Sequence, residues 1–204
     1  MKKSLAFGAC LVAALALNTQ AQNLLVDPTF TETSFDQPNP IPIPGGVNGG
    51  WAGFGATLTG ANSVNLADNT WNPSGVYQIL TATPGADYTA SAWFNNTGAP
   101  TGAGWGTPYI INVNFDDITG TEIGTGISTG WTPETLNVPE QLTISGIAPA
   151  GTAYVLVYLM AMDNGANGTD YSVANASLTT VPEPTTLALL GLGVVGGMIW
   201  RRRQ

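Results

Sequence analysis

Between residues 22 and 180, apolar and polar residues alternate in short runs that clusters of Gly, Pro, Asn and Asp separate. A period of two is typical of strands with one buried face, and no helical period extends through this region. The pattern predicts strands at Leu24–Val26, Ala52–Leu58, Ser63–Leu66, Gly75–Thr81, Asp87–Phe94, Tyr109–Phe115, Thr121–Gly124, Glu140–Ile144, Ala153–Met162 and Tyr171–Thr179. Short strands separated by turns predict an all-β fold, an antiparallel β-sandwich of the jelly-roll type.

The first residues have the pattern of a secretory signal peptide. Lys2 and Lys3 precede an uncharged apolar stretch at Leu5–Leu17, and small residues at Thr19 and Ala21 are typical of a signal peptidase site. We therefore predict three parts: a signal peptide at 1–21, a β-sandwich domain at 22–180, and a C-terminal segment at 181–204. A long stretch rich in Pro and Gly, from Pro38 to Gly50, is expected at one end of the sandwich.

The C-terminal segment has three parts in a fixed order. Pro182, Glu183 and Pro184 come first, an uncharged apolar run at Leu187–Trp200 is predicted to form a hydrophobic helix, and the basic residues Arg201, Arg202 and Arg203 end the segment. Prolines cannot continue a strand ladder, and terminal arginines favour the cytoplasmic side of a membrane. The apolar run is shorter than the roughly 20 residues that cross a bilayer. An ordinary C-terminal anchor is the alternative.

This order resembles the PEP-CTERM sorting signal of exopolysaccharide-producing Gram-negative bacteria. In that family an exosortase acts at or near the Pro-Glu-Pro motif and releases the passenger outward. The resemblance implies that the chain is an exosortase substrate with a transient inner-membrane intermediate. Its destination is then the cell surface or the extracellular matrix.

Charge is distributed unevenly along the chain. All five Lys and Arg residues lie in the two terminal segments, all thirteen Asp and Glu residues lie between Asp27 and Glu183, and histidine is absent. A domain without cations cannot neutralise phosphates, which excludes nucleic acid and anionic membrane surfaces as partners. The single cysteine, Cys10, lies in the signal peptide, so disulfides and thiol chemistry are excluded from the exported part. Carboxylates, hydroxyls, amides and aromatic rings remain, the groups that recognise sugars and calcium.

Several stretches resemble the galactose-binding-like jelly rolls of many carbohydrate-binding modules. The stretches are Asn23–Phe30, Gly75–Leu80, Tyr88–Phe94, Asp116–Glu122 and Val173–Leu178. The resemblance implies a β-sandwich that binds carbohydrate. The closing strand of that family carries an Asp-Asp pair of a structural calcium site, where this chain has Ala174 and Asn175.

Strand alternation places Trp93 on a polar face. Tyr88, Ala90, Ala92 and Phe94 share the other, apolar face, and Asn112 and Asn114 on the strand Tyr109–Phe115 are also opposite its apolar residues. An indole stacks on the C–H face of a sugar while amides bind its hydroxyls. We therefore take Trp93, Asn112 and Asn114 as sugar-binding candidates on one face, with burial of Trp93 as the alternative.

Further candidates lie in loops. Trp71 and Trp105 would present indoles for a ligand or close an end of the sandwich. Asp163, Asn167 and Asp170 offer oxygen ligands for a possible calcium ion, or form a solvated hairpin loop; no other cofactor is expected. Asp116 and Asp117 point to opposite faces if the strand continues.

No carboxylate pair is evident at the separation that a glycosidase needs. The sequence therefore predicts a non-catalytic, exported protein that binds extracellular polysaccharide. The alternatives are a structural or adhesive matrix protein without a specific sugar and, less favoured, a carboxylate-dependent glycoside hydrolase.

Overall fold

The computed structural model describes residues 21–66, 73–96, 109–132, 137–162 and 171–180. Asn23–Thr180 forms one compact unit. Its strands are β1 (Ala52–Phe54), β2 (Thr57–Leu58), β3 (Val64–Leu66), β4 (Pro73–Thr81), β5 (Asp87–Asn96), β6 (Tyr109–Asp116), β7 (Ile127–Ser128), β8 (Glu140–Ile147), β9 (Tyr154–Met162) and β10 (Tyr171–Thr180). Across the described ranges, no helix has the length and apolar character that crossing a membrane requires.

The strands form two five-stranded sheets. Sheet 1 has the order β1-β4-β9-β6-β7, and sheet 2 has the order β2-β3-β10-β5-β8. Every paired neighbour is antiparallel. The predicted all-β antiparallel sandwich is confirmed.

The core lies between the inner faces of the two sheets. Phe94 of β5 and Tyr109 of β6 stack across it, with ring centroids 4.7 Å apart and ring planes 7° from parallel. Around them lie the alternate apolar residues of β5, β6, β9 and β10. Burying one large apolar side chain contributes roughly 1.5–3 kcal/mol, which explains why alternation fixes the faces of these strands.

Three predicted strands differ from the observed ones. Leu24–Val26 is not a strand, although the Leu24 N–H donates to the Leu178 carbonyl at 2.7 Å. Ala52–Leu58 divides into β1 and β2 at Gly55, whose φ of 58° interrupts the extended backbone. Thr121–Gly124 forms only an isolated bridge between Asp116 and Glu122, and the edge strand of sheet 1 lies further along, at β7.

The Pro- and Gly-rich loop lies on a face of the sandwich, so its predicted position at one end was wrong. Ile41 is buried against Tyr77 and Ile79 on the outer face of sheet 1. The Ile41 N–H donates to the Tyr77 hydroxyl at 2.9 Å, and the Asn48 N–H donates to the Ile79 carbonyl at 2.7 Å. The loop covers part of sheet 1 because outward-facing residues of β4 and β9 are themselves apolar.

Candidate functional site

Strand β5 presents Trp93 on the outer face of sheet 2. Its inward residues Ala92 and Phe94 are fully buried, whereas 40% of the Trp93 surface is exposed. Its cross-strand neighbours are Ala174 of β10 and Gln141 of β8. The alternation of this strand thus fixes the direction of the indole, and the small side chain at position 174 leaves space beside it.

A pocket of about 330 Å³ opens next to the indole. It is lined by Trp93, Phe94, Asn95, Pro139, Ser172, Ala174 and Asn175. The register between β5 and β10 shifts between Ala174 and Ser177, and Asn175 has a φ of 50° at this bulge. Bulges re-aim side chains and are frequent beside binding sites. Here the bulge leaves Asn175 exposed at the rim of the pocket.

The polar groups of the pocket are uncharged. The side-chain carbonyl oxygen of Asn95 is buried and accepts no hydrogen bond within the described part of the chain. The Ser172 hydroxyl donates weakly to the Asn95 backbone carbonyl, at 3.5 Å. A buried acceptor without a donor carries a desolvation cost of roughly 1–3 kcal/mol. Sequence reasoning missed Asn95, Ser172 and Asn175, although alternation places the first two on the same face as Trp93.

The structure does not bring Asn112 and Asn114 together with Trp93, contrary to the prediction of one shared face. Both asparagines lie on β6, on the outer face of sheet 1, whereas Trp93 lies on the outer face of sheet 2. Alternation identifies the outward residues of a strand but not the sheet to which the strand belongs.

The two asparagines belong to a separate polar and aromatic row. The Asn112 amide donates to the Asn114 side-chain oxygen at 3.0 Å, and the Asn114 amide donates to Glu122 at 3.5 Å. Tyr158 of β9 is the cross-strand neighbour of Asn112, and its ring stacks on Tyr77 at 5.1 Å. Burial, with smaller contributions from Tyr77 and nearby carboxylates, raises the pKa of Tyr158 to about 12. The alternation of β9 places Tyr158 on the outer face of sheet 1, but the sequence prediction did not use this residue.

The carboxylates of β6 have separate environments. Asp116 is buried, and this burial, followed by the charges of Glu122 and Asp117, raises the pKa of its carboxyl. Asp117 lies in the following turn, where the Thr119 hydroxyl donates to it at 2.6 Å and lowers its pKa. The Asp116 carboxyl is buried, and the Asp117 carboxyl accepts hydrogen bonds within its own turn. Neither carboxyl is therefore directed at a shared substrate position.

Other predicted site residues lie outside the described residues. They are Trp71, Trp105, the calcium candidates Asp163, Asn167 and Asp170, and the sorting residues Pro182, Glu183, Pro184, Arg201, Arg202 and Arg203. Within the described ranges, no group of three or more acidic, cysteine or histidine side chains is placed to hold a metal ion.

The solved structures that match this chain are distant in sequence, and their TM-scores are below 0.5. Tailspike protein 4 of bacteriophage CBA120 is 15% identical with a TM-score of 0.46, over 58% of this chain and 15% of the tailspike. The family 16 carbohydrate binding module-2 is 18% identical with a TM-score of 0.42, over 63% of this chain and 89% of the module.

The CBM22-1 xylan-binding domain of Paenibacillus barcinonensis Xyn10C is 13% identical with a TM-score of 0.46, over 80% of this chain and 97% of that domain. At this level of identity and TM-score, these likenesses assign neither a ligand nor an activity to this chain. No curated protein matches the sequence significantly.

The C-terminal segment matches a family model. Residues 180–203 match the PEP-CTERM protein-sorting motif, and the match includes the Pro-Glu-Pro triplet and the three arginines. The motif implies exosortase processing and indicates an exported protein that is sorted through its C-terminus to the cell envelope or surface. The chain therefore carries a PEP-CTERM sorting motif, which follows an all-β sandwich domain in the sequence.

Proposed function

We propose that the sandwich domain is a non-catalytic carbohydrate-binding module that binds extracellular polysaccharide at the Trp93 pocket. The observation that carries this proposal is an indole 40% exposed beside a pocket of about 330 Å³. Ligand pockets combine an apolar or aromatic wall with a few placed polar groups, which is the composition found here.

The pocket offers both types of contact that a sugar ring makes. The indole of Trp93 provides a flat apolar surface for the C–H groups of the ring. Asn95, Ser172 and Asn175 line the pocket and would offer hydrogen-bonding groups to the hydroxyls of the ring. Stacking and hydroxyl recognition would therefore act on the same ring.

The arrangement supports binding without hydrolysis. A glycosidase needs two carboxyl groups that flank the scissile bond. The residues that line the described part of the pocket include no Asp or Glu. Glu140, at the start of the neighbouring strand β8, accepts a hydrogen bond from the Tyr109 hydroxyl and is thus engaged away from the pocket.

Sorting places the module where it meets its ligand. We propose that exosortase processing at or near Pro182–Pro184 follows a transient inner-membrane intermediate and delivers the domain to the cell surface or extracellular matrix. There a domain with acidic residues and no cation of its own avoids binding nucleic acid and anionic lipid.

Replacing the indole tests the proposal directly. Trp93→Ala should weaken polysaccharide retention in affinity electrophoresis at least tenfold, about 1.4 kcal/mol of binding free energy, because the stacking surface is lost. Trp131→Ala is the matched control, since Trp131 is also 40% exposed but does not line the pocket. It should bind as the wild type does.

Thermal melting of both variants separates loss of binding from loss of folding. Equal retention by wild type and a folded Trp93→Ala variant would rule out this pocket as the site. A wild type that retains no glycan would refute carbohydrate binding and favour a structural or adhesive role in the matrix.

A further inference from the structure

The four sheet edges in the described structure differ greatly in length. Sheet 1 ends in β1, with 3 residues, and β7, with 2 residues. Sheet 2 ends in β2, with 2 residues, and β8, with 8 residues. Shortening an edge strand is one way in which proteins prevent pairing with other chains. Strand β8, with 8 residues, is the one edge strand of the described sheets that is not short.

Of the other usual protections of an edge, strand β8 carries one, the inward-facing Glu140 at its first residue, whose carboxylate accepts a hydrogen bond from the Tyr109 hydroxyl. Residues 141–147 contain no charged residue and no proline. Leu142 and Ile144 point inward but are only partly buried, and Val138 and Ile147 at the two ends are 47% and 68% exposed. Natural edge strands usually carry lysine, proline or inward charges that prevent pairing. Apart from Glu140, this strand combines alternating apolar residues with an uncharged outer side.

The backbone groups at the open edge can be identified from the ladder. The Ala148 N–H donates to the Ala86 carbonyl at 2.9 Å, and the register of β5 with β8 is unbroken from Asp87–Ile147 to Phe94–Glu140. Since backbone groups alternate along an antiparallel strand, residues 142, 144 and 146 hydrogen-bond to β5. The N–H and C=O groups of residues 141, 143, 145 and 147 therefore face away from β5.

We propose that β8 is a self-association edge, where a second copy of this chain adds its own β8 in antiparallel orientation. A twofold axis at Ile144 pairs Gln141 with Ile147 of the second copy and Thr143 with Ser145 of the second copy. Each outward-facing backbone group then has a partner. The exposed side of the partly buried Leu142 and Ile144 is covered at the same time.

Net charge opposes the association of two copies, so a contact between them must form where the surface is neutral. The exported part has acidic residues but no cation, so two copies cannot associate through ion pairs and repel each other elsewhere. Glu140, the one charged residue of β8, lies beyond the last backbone pair in this register. The edge is a neutral and self-complementary strip on an acidic molecule.

The proposed axis is normal to the sheet, so it keeps the outer faces of both copies on the same side. Sheet 2 would continue through the interface, and both Trp93 side chains would lie on one face of the dimer. If these pockets bind glycan, the dimer would engage a polysaccharide at two points and gain avidity. Self-association itself does not depend on carbohydrate binding.

Sedimentation velocity of the exported, processed protein tests the edge with two substitutions at one position. Thr143→Pro removes an outward-facing N–H without removing a hydrogen bond to β5, and proline is tolerated on an edge strand in this orientation. Thr143→Val keeps the N–H and the β-branched shape. We expect dimers for wild type and Thr143→Val, and a dimer dissociation constant at least tenfold higher for Thr143→Pro.

A second variant keeps the test decisive if Thr143→Pro does not fold. In the double variant Thr143→Lys, Ser145→Lys, lysines oppose each other twice in the proposed register, which should also give monomers. The added positive charge lowers the net repulsion between copies, so weaker association would not be a general charge effect. A monomeric wild type, dimers of undiminished affinity in a folded Thr143→Pro variant, or dimers that dissociate as salt rises would each overturn the proposal.

Discussion

Gln78 joins the two sheets through the N-terminal segment. The side chain is 1% exposed and points into the core from β4. Its oxygen accepts from the Val26 N–H at 3.1 Å, and its amide donates to the Val26 carbonyl at 2.6 Å. Asn23 in the same segment binds β10 of sheet 2, where its side-chain oxygen accepts from the Leu178 N–H at 3.0 Å. The amide thus replaces a strand partner for residues that the sequence predicts to form a strand.

Replacing Gln78 by methionine keeps the volume of the side chain and removes both hydrogen bonds. Each bond contributes roughly 1 kcal/mol net, so the free energy of unfolding should fall by about 2 kcal/mol. For a domain of this size, such a loss lowers the melting temperature by roughly 4–8 °C. Urea unfolding followed by tryptophan fluorescence should give the same free-energy difference with an unchanged denaturant slope.

Gln141→Met is the matched control, because Gln141 is exposed on the outer face of β8 and the same atoms change. Its effect should stay within about 0.5 kcal/mol. Gln78→Glu adds a directional test, since a buried carboxylate accepts from the Val26 N–H but repels the Val26 carbonyl. That variant should recover stability at low pH, where the carboxyl can donate. If Gln78→Met has the same melting temperature as Gln141→Met, the two hydrogen bonds between Gln78 and Val26 do not contribute to stability.

Two further predictions follow from titratable groups on sheet 1. Asp116 has a raised pKa in the folded state, so its ionised form opposes folding above that pKa. Asp116→Asn should therefore raise the melting temperature at pH 7, and the gain should vanish below the unfolded pKa near 3.8. Equal melting temperatures of the variant and the wild type at pH 7 would contradict this effect of burial. Tyr158 has a pKa of about 12 against an ordinary 10.0, so the folded state holds its proton longer and the free energy of unfolding should fall as pH rises between these values. Spectrophotometric titration of tyrosinate should show a late component whose amplitude falls by one tyrosine in Tyr158→Phe, and an unchanged late amplitude in that variant would reject the assignment.

Local pattern determined much of the fold and one wall of the candidate site. The alternation of β5 fixed the outward direction of Trp93, because burying Phe94 and its apolar neighbours is worth far more than any local preference. The C-terminal motif depends on contiguous residues, so it could be predicted from the sequence, and the PEP-CTERM match at 180–203 confirms it.

Tertiary structure alone decided which faces meet. Asn112 and Asn114 have the same outward alternation as Trp93, yet strand order places them in the opposite sheet. The position of the Pro- and Gly-rich loop over Tyr77 depends on apolar residues of β4 and β9, which are distant in sequence. The pocket beside Trp93 likewise required the bulge at Asn175 of β10. A period of two assigns each residue to one side of its own strand, whereas the partners across a sheet depend on long-range pairing that no local pattern contains.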